Sequence, residues 1–253
     1  MDKRTLLETV RQEIERTTGC TDPVTIALAV SRATRELGSV PQSVDVTVSP
    51  NIYKNAIGVG VPGAGRKGVD VAAALGAVVD HSEARLAILD YVTESKLVQA
   101  MALLTAGQVN VQPGDVPDVL YVDARVSNGR ETAYAIIAGD YTRIVETGRN
   151  GQVTCQIPLQ KGETLAHRLR DGDLEKIFDL IARMTVEDWS FLVKAARVNR
   201  MAAQTGLDDP PLQLARALSR WDWDVRAPFA TMHRAEVVVG AASEGRMLGL
   251  KVP

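Results

Sequence analysis

The sequence predicts an α+β protein in which helical segments at both ends flank a β-meander of about four strands. Helical periodicity dominates the two ends of the chain, whereas alternating residues and the turns "NGR", "GDY" and "GRNGQ" mark the middle. No internal repeat or low-complexity linker interrupts this order. The predicted organisation is therefore an N-terminal helical region at 1–107 with a glycine-rich loop, a β-meander at 108–160, and a C-terminal helical region at 161–253.

The first two elements form a predicted pair of helices. Apolar residues at helical spacing predict a helix over 4–17, and Gly19 ends it. Thr21 or Asp22 is predicted to cap a second helix that runs to Gly38. Cys20, one of only two cysteines, falls at the break between these helices.

The remaining elements follow from local patterns. The alternation in "SVDVTVS" predicts a strand at 43–49, and the stretches "VDVAAALGAVV" and "EARLAILDYVTESKLVQAMALLTAG" each predict one helix. The four predicted strands of the meander contain "DVLYVDARVSN", "ETAYAIIAGD", "TRIVETG" and "QVTCQIP". Cys155, in the last of these, is expected to be packed. Helices are predicted near the C-terminus at 174–184, 187–206 and 210–221.

Composition excludes several classes of function. The 29 lysines and arginines against 31 aspartates and glutamates give a net charge of −2, which leaves no basic excess for nucleic acid or anionic lipid. No apolar run reaches the ~18 residues of a spanning helix, and the charged N-terminus does not resemble a signal peptide. Two cysteines cannot form a disulfide framework. These features predict a soluble cytoplasmic protein.

The glycine-rich loop does not have the context of a nucleotide site. Residues 58–63 and 63–68 both fit G-x-G-x-x-G, but helices rather than a βαβ unit follow them. The spacing of a Walker A loop is present without the Lys-Ser/Thr pair that must follow it. A loop that lets the backbone approach a small anionic ligand remains a reasonable interpretation.

Two short stretches carry candidate functional residues. Asn51, Lys54 and Asn55 in "SPNIYKN" form either a polar strand-to-helix connection or a ligand site, in which the lysine would attract a carboxylate. Cys20 is either a buried structural cysteine or a thiolate stabilised at a helix N-terminus, which suits a metal ligand or a nucleophile. His81, His167 and His233 show no metal-ligand spacing.

Several of these segments together resemble the L-cysteine desulfidase family. They are "GCTDPVTIALA", "VSPNIYKNAIGVGVPGAGRKGVDVAAALGAV", "NRMAAQTGL" and "AASEGRM", in the family's order across nearly the whole chain. This family is related to the alpha subunit of iron–sulfur-dependent L-serine dehydratases. The resemblance implies a [4Fe–4S] cluster held by three cysteines, with an open iron that acts as a Lewis acid on the leaving group at Cβ. A base removes the Cα proton, and the products are pyruvate, ammonia and sulfide or water.

The resemblance also assigns residues. Cys20 matches the family's N-terminal cluster cysteine. Lys54 is the expected catalytic residue, which either holds the substrate carboxylate or acts as the base. The expected substrate-binding residues are Thr21, Asn51, Asn55, Ser243 and Arg246.

The chain departs from the family pattern in its C-terminal part. The family continues through a glycine/serine-rich loop into a helical domain with two more cluster cysteines, whereas this sequence ends at Pro253 inside that motif. We expect an N-terminal subunit or half of the lyase, which forms an oligomer with a cysteine-bearing C-terminal subunit. The alternatives are a truncated or interrupted reading frame, an amino-acid-binding remnant without a cluster, and a cluster-independent enzyme that uses Cys20 or Lys54 covalently. L-Cysteine and L-serine both fit as substrates, although the motifs favour the desulfidase branch.

Overall fold

A mixed six-stranded sheet lies at the centre of the computed structural model, which describes residues 2–12, 14–158 and 174–208. The strands are β1 Ser43–Val48, β2 Gly60–Val61, β3 Arg66–Lys67, β4 Val109–Pro113, β5 Tyr121–Ser127, β6 Thr132–Ala138, β7 Ile144–Arg149 and β8 Gln152–Gln156. The α-helices are α1 Lys3–Gln12, α2 Thr21–Leu37, α3 Pro50–Ala56, α4 Val69–Val78, α5 Glu94–Thr105, α6 Leu174–Ala182 and α7 Ser190–Asp208. A 3-10 segment spans Ser82–Tyr91. The predicted α+β class is confirmed.

The sheet is larger than the predicted meander. Its strand order is β4-β1-β5-β6-β7-β8, and the last four strands are the predicted antiparallel meander. β1 extends it by pairing antiparallel with β5, and β4 then pairs parallel with β1. Val44 illustrates this register, since its partners are Val126 on one side and Val109 on the other. These pairings join segments far apart in the chain, so local patterns could not predict them.

One face of the sheet carries the hydrophobic core. Alternate residues of β1, β5 and β6 are buried, as the side-chain period of two requires. Helix α2 packs across β5, β6 and β7, and α4 packs against α2. Residues 22–31 of α2 are buried on all sides, which fits a helix enclosed between the sheet and α4.

Two helical predictions need correction. The helix predicted from 4 to 17 ends at Gln12. The single helix predicted over 83–107 is divided, because Arg85 has the non-helical angles φ 52° and ψ −125°, and Thr93 starts α5 by accepting a hydrogen bond from the Lys96 amide. Periodicity alone does not show such breaks.

The predictions for the C-terminal helices are partly confirmed, whereas the prediction that Cys155 is packed is wrong. α6 and α7 confirm two predicted helices, and the third, at 210–221, lies outside the described residues. Cys155 is exposed rather than packed, because β8 is an edge strand whose five residues are all exposed. None of the described helices has the length and apolar character needed to cross a membrane.

A hydrogen bond between neighbouring strands of the sheet supports a first prediction, about Tyr134. Its hydroxyl donates a 2.6 Å hydrogen bond to Glu146 Oε1, and this bond is the main reason that the pKa of Tyr134 rises to about 12. An ultraviolet titration should therefore show that the phenol of Tyr134 ionises well above the ordinary value near 10. The contribution of this bond to stability is full below about pH 10 and is lost as the pH rises through 12.

Two variants check this assignment. Tyr134→Phe should remove the late ionisation step, and Glu146→Gln should move it to a lower pH because the carboxylate acceptor is gone. A late step that persists in both variants would show that another tyrosine is responsible.

Candidate functional site

The candidate site begins at the N-terminus of α2. Gly19 has a left-handed φ of +84°, and the chain then enters the helix with Cys20 as the N-cap residue. The Cys20 side chain makes no capping hydrogen bond to the helix. The prediction that Thr21 or Asp22 caps this helix is therefore wrong, because the bend at Gly19 starts the helix one residue earlier.

The glycine-rich loop packs directly against this bend. An added Cβ at Gly19 would lie 2.4 Å from Pro62 Cγ, so only glycine allows the loop to approach so closely. Within the loop, β2 and β3 form a short antiparallel hairpin. This hairpin is not the strand-to-helix turn of a dinucleotide site. The suggested small anionic ligand stays a prediction.

A chain of polar contacts connects Cys20 with Lys54. The Cys20 thiol, as donor, lies 3.8 Å from Asp22 Oδ2, and Asn55 Nδ2 lies 3.5 Å from Asp22 Oδ1. Lys54 Nζ donates to Asn55 Oδ1 at 3.0 Å. Helix α3 supplies Lys54 and Asn55, and its N-cap residue accepts a hydrogen bond from a backbone amide of the first turn. These contacts bring Cys20, Lys54 and Asn55 into one group, and the roles that the resemblance assigns to them and to Thr21 stay predictions.

Asp22 is the buried centre of this group. Only 5% of its surface is exposed. Burial raises the pKa of the Asp22 carboxyl, and hydrogen bonds from Asn55 and Cys20 partly oppose this effect. Sequence reasoning considered Asp22 only as a helix cap, since nothing local distinguishes a capping aspartate from a functional one.

Tyr141 is a site residue that sequence reasoning missed. It lies in the turn between β6 and β7, near Thr21 of α2, and its carbonyl accepts a 3.0 Å hydrogen bond from Thr25 Oγ1. Burial, together with the nearby charge of Asp22, raises the pKa of the Tyr141 phenol. The sequence shows only a turn signal, "GDY", at this place.

Asn51 lies one helical turn from Asn55 but lines a separate cleft. This cleft has a volume of about 710 Å³ and is formed by the N-terminal end of α3 and the segment 113–119. The contacts that join Cys20 and Lys54 do not include Asn51. Ser243 and Arg246 lie outside the described residues.

The metal-binding capacity of this site rests on one thiol. No group of three or more histidine, cysteine, aspartate or glutamate residues suited to a metal occurs within residues 2–12, 14–158 and 174–208. Cys155 is at the wrong end of α2, because Thr154 beside it contacts Glu36 near the helix C-terminus. The 17 residues of α2 separate its two ends by about 25 Å. Cys20 fits one ligand position, and the described residues do not complete a cluster.

Fold and site thus define an α+β protein with a cysteine, a buried aspartate and a lysine gathered at one helix end. The chain is homologous over its full length to proteins named UPF0597 protein. The protein of Methanocella arvoryzae is 43% identical over 253 residues, which are 100% of this chain and 60% of that protein. The protein of Vibrio campbellii is 30% identical over 251 residues, which are 98% of this chain and 59% of that protein.

A third relative, from Porphyromonas gingivalis, is 34% identical over 210 residues, or 80% of this chain and 48% of its own length. The chain spans about 60% of the length of the first two relatives. No family model matches the sequence. No solved structure matches it.

Proposed function

We propose that this chain is the Cys20-bearing subunit or half of an iron–sulfur-dependent lyase. The reaction eliminates hydrogen sulfide from L-cysteine, or water from L-serine, and yields pyruvate and ammonia. The observation that carries this proposal is the convergence of Cys20, Lys54 and Asn55 around Asp22, because residues from two separate family-like motifs meet there. The greater length of the relatives leaves room for the ligands that this chain does not supply.

Cys20 is suited to one ligand position of a [4Fe–4S] cluster. Its place at the N-terminus of α2 favours the thiolate, which is the form that binds iron. The remaining cysteines are expected from a cysteine-bearing partner chain, since Cys155 lies at the far end of α2. When bound, such a cluster supplies a Lewis acid for the leaving group at Cβ.

The chain's own residues would bind and orient the amino acid. Lys54 is exposed, and its ammonium group is held by Asn55 Oδ1 at 3.0 Å, so it can attract the substrate carboxylate. A base takes the Cα proton while the bond from Cβ to sulfur breaks and sulfide leaves. The resulting enamine takes up a proton, and water then hydrolyses it to pyruvate and ammonia.

An anaerobic reconstitution tests the proposal. The chain is expressed alone and together with the reading frame adjoining its own, supplied with iron and sulfide, and analysed for iron content and visible absorbance. L-Cysteine or L-serine is then added and pyruvate is measured. We expect a cluster and turnover in the co-expressed sample, and loss of both in Cys20→Ser.

Cys155→Ser is the matched control, because it removes the other thiol without touching the site. This variant should keep the cluster and the activity. If neither sample binds iron, or if Cys20→Ser behaves like the wild type, the lyase proposal is wrong.

A second candidate function is an amino-acid-binding module without a cluster. The observation that favours it is that Cys20 is the one thiol at the site within the described residues. It predicts that iron-free protein binds a small amino acid and that no partner restores turnover.

A further inference from the structure

Helix α6 has an apolar face that stays largely exposed. Its large apolar side chains recur at positions i, i+3, i+4 and i+7, and therefore share one side of the helix. They are Leu174, Ile177, Phe178 and Ile181. Leu174 and Phe178 are 67% and 69% exposed, and Ile181 is 38% exposed. None of the nine residues of α6 is buried, and a group of exposed apolar side chains of this kind is typical of an interaction site.

A helix as short as α6 needs tertiary packing to be stable. Isolated helices shorter than about 12–15 residues are marginal in water, and most helical stability in proteins comes from burial of an apolar face. α6 has nine residues, and none of the helices and strands that the structure describes packs extensively against it. Its apolar face therefore favours a cover that the described residues do not supply.

The connection from α6 to α7 is tied to α1 by specific contacts. Asp188 accepts a 3.0 Å hydrogen bond from the Thr185 amide and pairs with Lys3 Nζ at 2.7 Å. At the start of α7, the Arg11 guanidinium lies 4.9 Å from the centre of the Phe191 ring. The segment that carries the apolar face is thus joined to the folded part of the chain at a defined place.

The charges on the other side of α6 argue against a membrane as the cover. Helices that lie on anionic membranes are rich in lysine and arginine on their polar face. The polar face of α6 carries Glu175, Lys176 and Asp179, so acidic residues outnumber basic ones there. Apolar residues at i, i+3, i+4 and i+7 are instead the pattern of a helix that inserts into an apolar groove of another protein.

The longer relatives indicate which protein supplies that groove. The chain spans 60% of the Methanocella arvoryzae relative, which carries further sequence with no counterpart in these 253 residues. The proposed lyase also needs a partner, because the described residues place only one thiol, Cys20, at the candidate site. A single partner chain that corresponds to the additional region of the relatives meets both needs.

We propose that the apolar face of α6 docks into an apolar groove of the cysteine-bearing partner chain. Its large side chains are the buried anchors of the contact, and polar residues around them form the rim. This inference rests on the proposed function, because it assigns a docking surface to the partner named there. A stable interface buries about 1,200–2,000 Å² in total, so α6 supplies the apolar centre of a larger contact.

Association of the two chains without iron tests this docking surface. The full chain is titrated with the purified product of the adjoining reading frame in the presence of chelator, and the complex is measured by calorimetry and sedimentation. Phe178→Gln replaces an exposed anchor with a good helix former, so the helix should persist. The affinity of this variant for the partner should be at least about tenfold lower than that of the wild type.

Val98→Gln is the matched control, because Val98 is also an apolar residue exposed on a helix, α5. Its affinity for the partner should change by less than about twofold. Thermal unfolding of each variant without the partner separates binding from structure. Both variants should unfold at the wild-type temperature, since each changes an exposed side chain.

Hydrogen exchange of the unmodified chain gives a second measurement. The backbone amides of α6 should exchange quickly in the free chain, because the helix is short and exposed. Their exchange should slow at least about tenfold when the partner is added. The amides of α5 should show no change.

Three results would contradict the docking surface. They are a wild-type chain that does not bind the partner, a Phe178→Gln variant that binds like the wild type, and a complex in which α6 gains no protection. A wild-type dimer, or binding to phosphatidylglycerol vesicles, that Phe178→Gln removes would also overturn it, because the face would then have a different occupant.

The lyase proposal can fail separately. A complex that Phe178→Gln weakens, but that neither binds iron nor forms pyruvate, would contradict the lyase proposal and support the docking surface. A cluster and turnover in a complex that Phe178→Gln does not weaken would have the opposite meaning.

Discussion

Replacement of Gly19 by alanine is expected to lower the free energy of unfolding by about 2–5 kcal/mol and to disturb the Cys20 site. Two effects add. An alanine at φ +84° has an unfavourable backbone conformation, which costs about 1–2 kcal/mol. The new Cβ would also lie 2.4 Å from Pro62 Cγ, and overpacking of this kind costs about 1–3 kcal/mol. Because the proline ring is rigid, the whole glycine-rich loop must move.

Gly65→Ala separates these two effects. Gly65 also has a positive φ, of +61°, but nothing lies within 4 Å of its added Cβ. Its variant should therefore show only the backbone effect in chemical denaturation. A second measurement, in a Cys155→Ser background, is the alkylation rate of Cys20, which should rise in Gly19→Ala and stay unchanged in Gly65→Ala. Equal losses of stability in the two variants would show that the contact with Pro62 contributes nothing.

The replacement of Gly76 by valine should destabilise the core by about 3 kcal/mol or more. Gly76 lies on α4 where it meets α2, and even an added Cβ would lie 2.4 Å from the Ala27 carbonyl oxygen and 2.9 Å from Val30 Cβ. The first of these atoms is backbone, so the two helices must separate. Chemical denaturation should show a lower midpoint.

Gly58→Val provides the comparison for this variant. Gly58 is exposed, and nothing lies within 4 Å of its added Cβ. We expect a change of less than about 1 kcal/mol, as is usual for a surface substitution. If Gly76→Val were as stable as Gly58→Val, the close approach of α2 and α4 would not determine core stability.

Local patterns in the sequence were sufficient to predict only part of the fold. The four strands of the meander are neighbours in the chain and are joined by short turns, so alternation and turn residues identified them. The pairing of β1 with β5 joins residues as distant as Val44 and Val126, and no local pattern shows which strands will pair. The break at Arg85 also depends on distant contacts, with Glu15 and Thr142.

The candidate site, like the fold, could be predicted only in part from local sequence patterns. Cys20, Lys54 and Asn55 could be chosen from residue type and from the resemblance, and the structure brings them together. Tyr141 could not be chosen, because its position depends on how a hairpin turn packs against α2. Asp22 was visible in the sequence, but its burial and its contacts with Cys20 and Asn55 depend on the packing of α2 against α3.

The order of elements along the chain has a consequence for biosynthesis. Helix α2 is mostly apolar and buried, yet the strands that cover it, β5 to β7, are translated only after about a hundred further residues. At synthesis rates of about 5–20 residues per second, this interval lasts roughly 5–20 s. During that time the apolar residues of α2 cannot pack against β5 to β7, because these strands have not yet been synthesised. Ribosome-associated chaperones are therefore expected to engage the segment 21–37 before the meander leaves the exit tunnel.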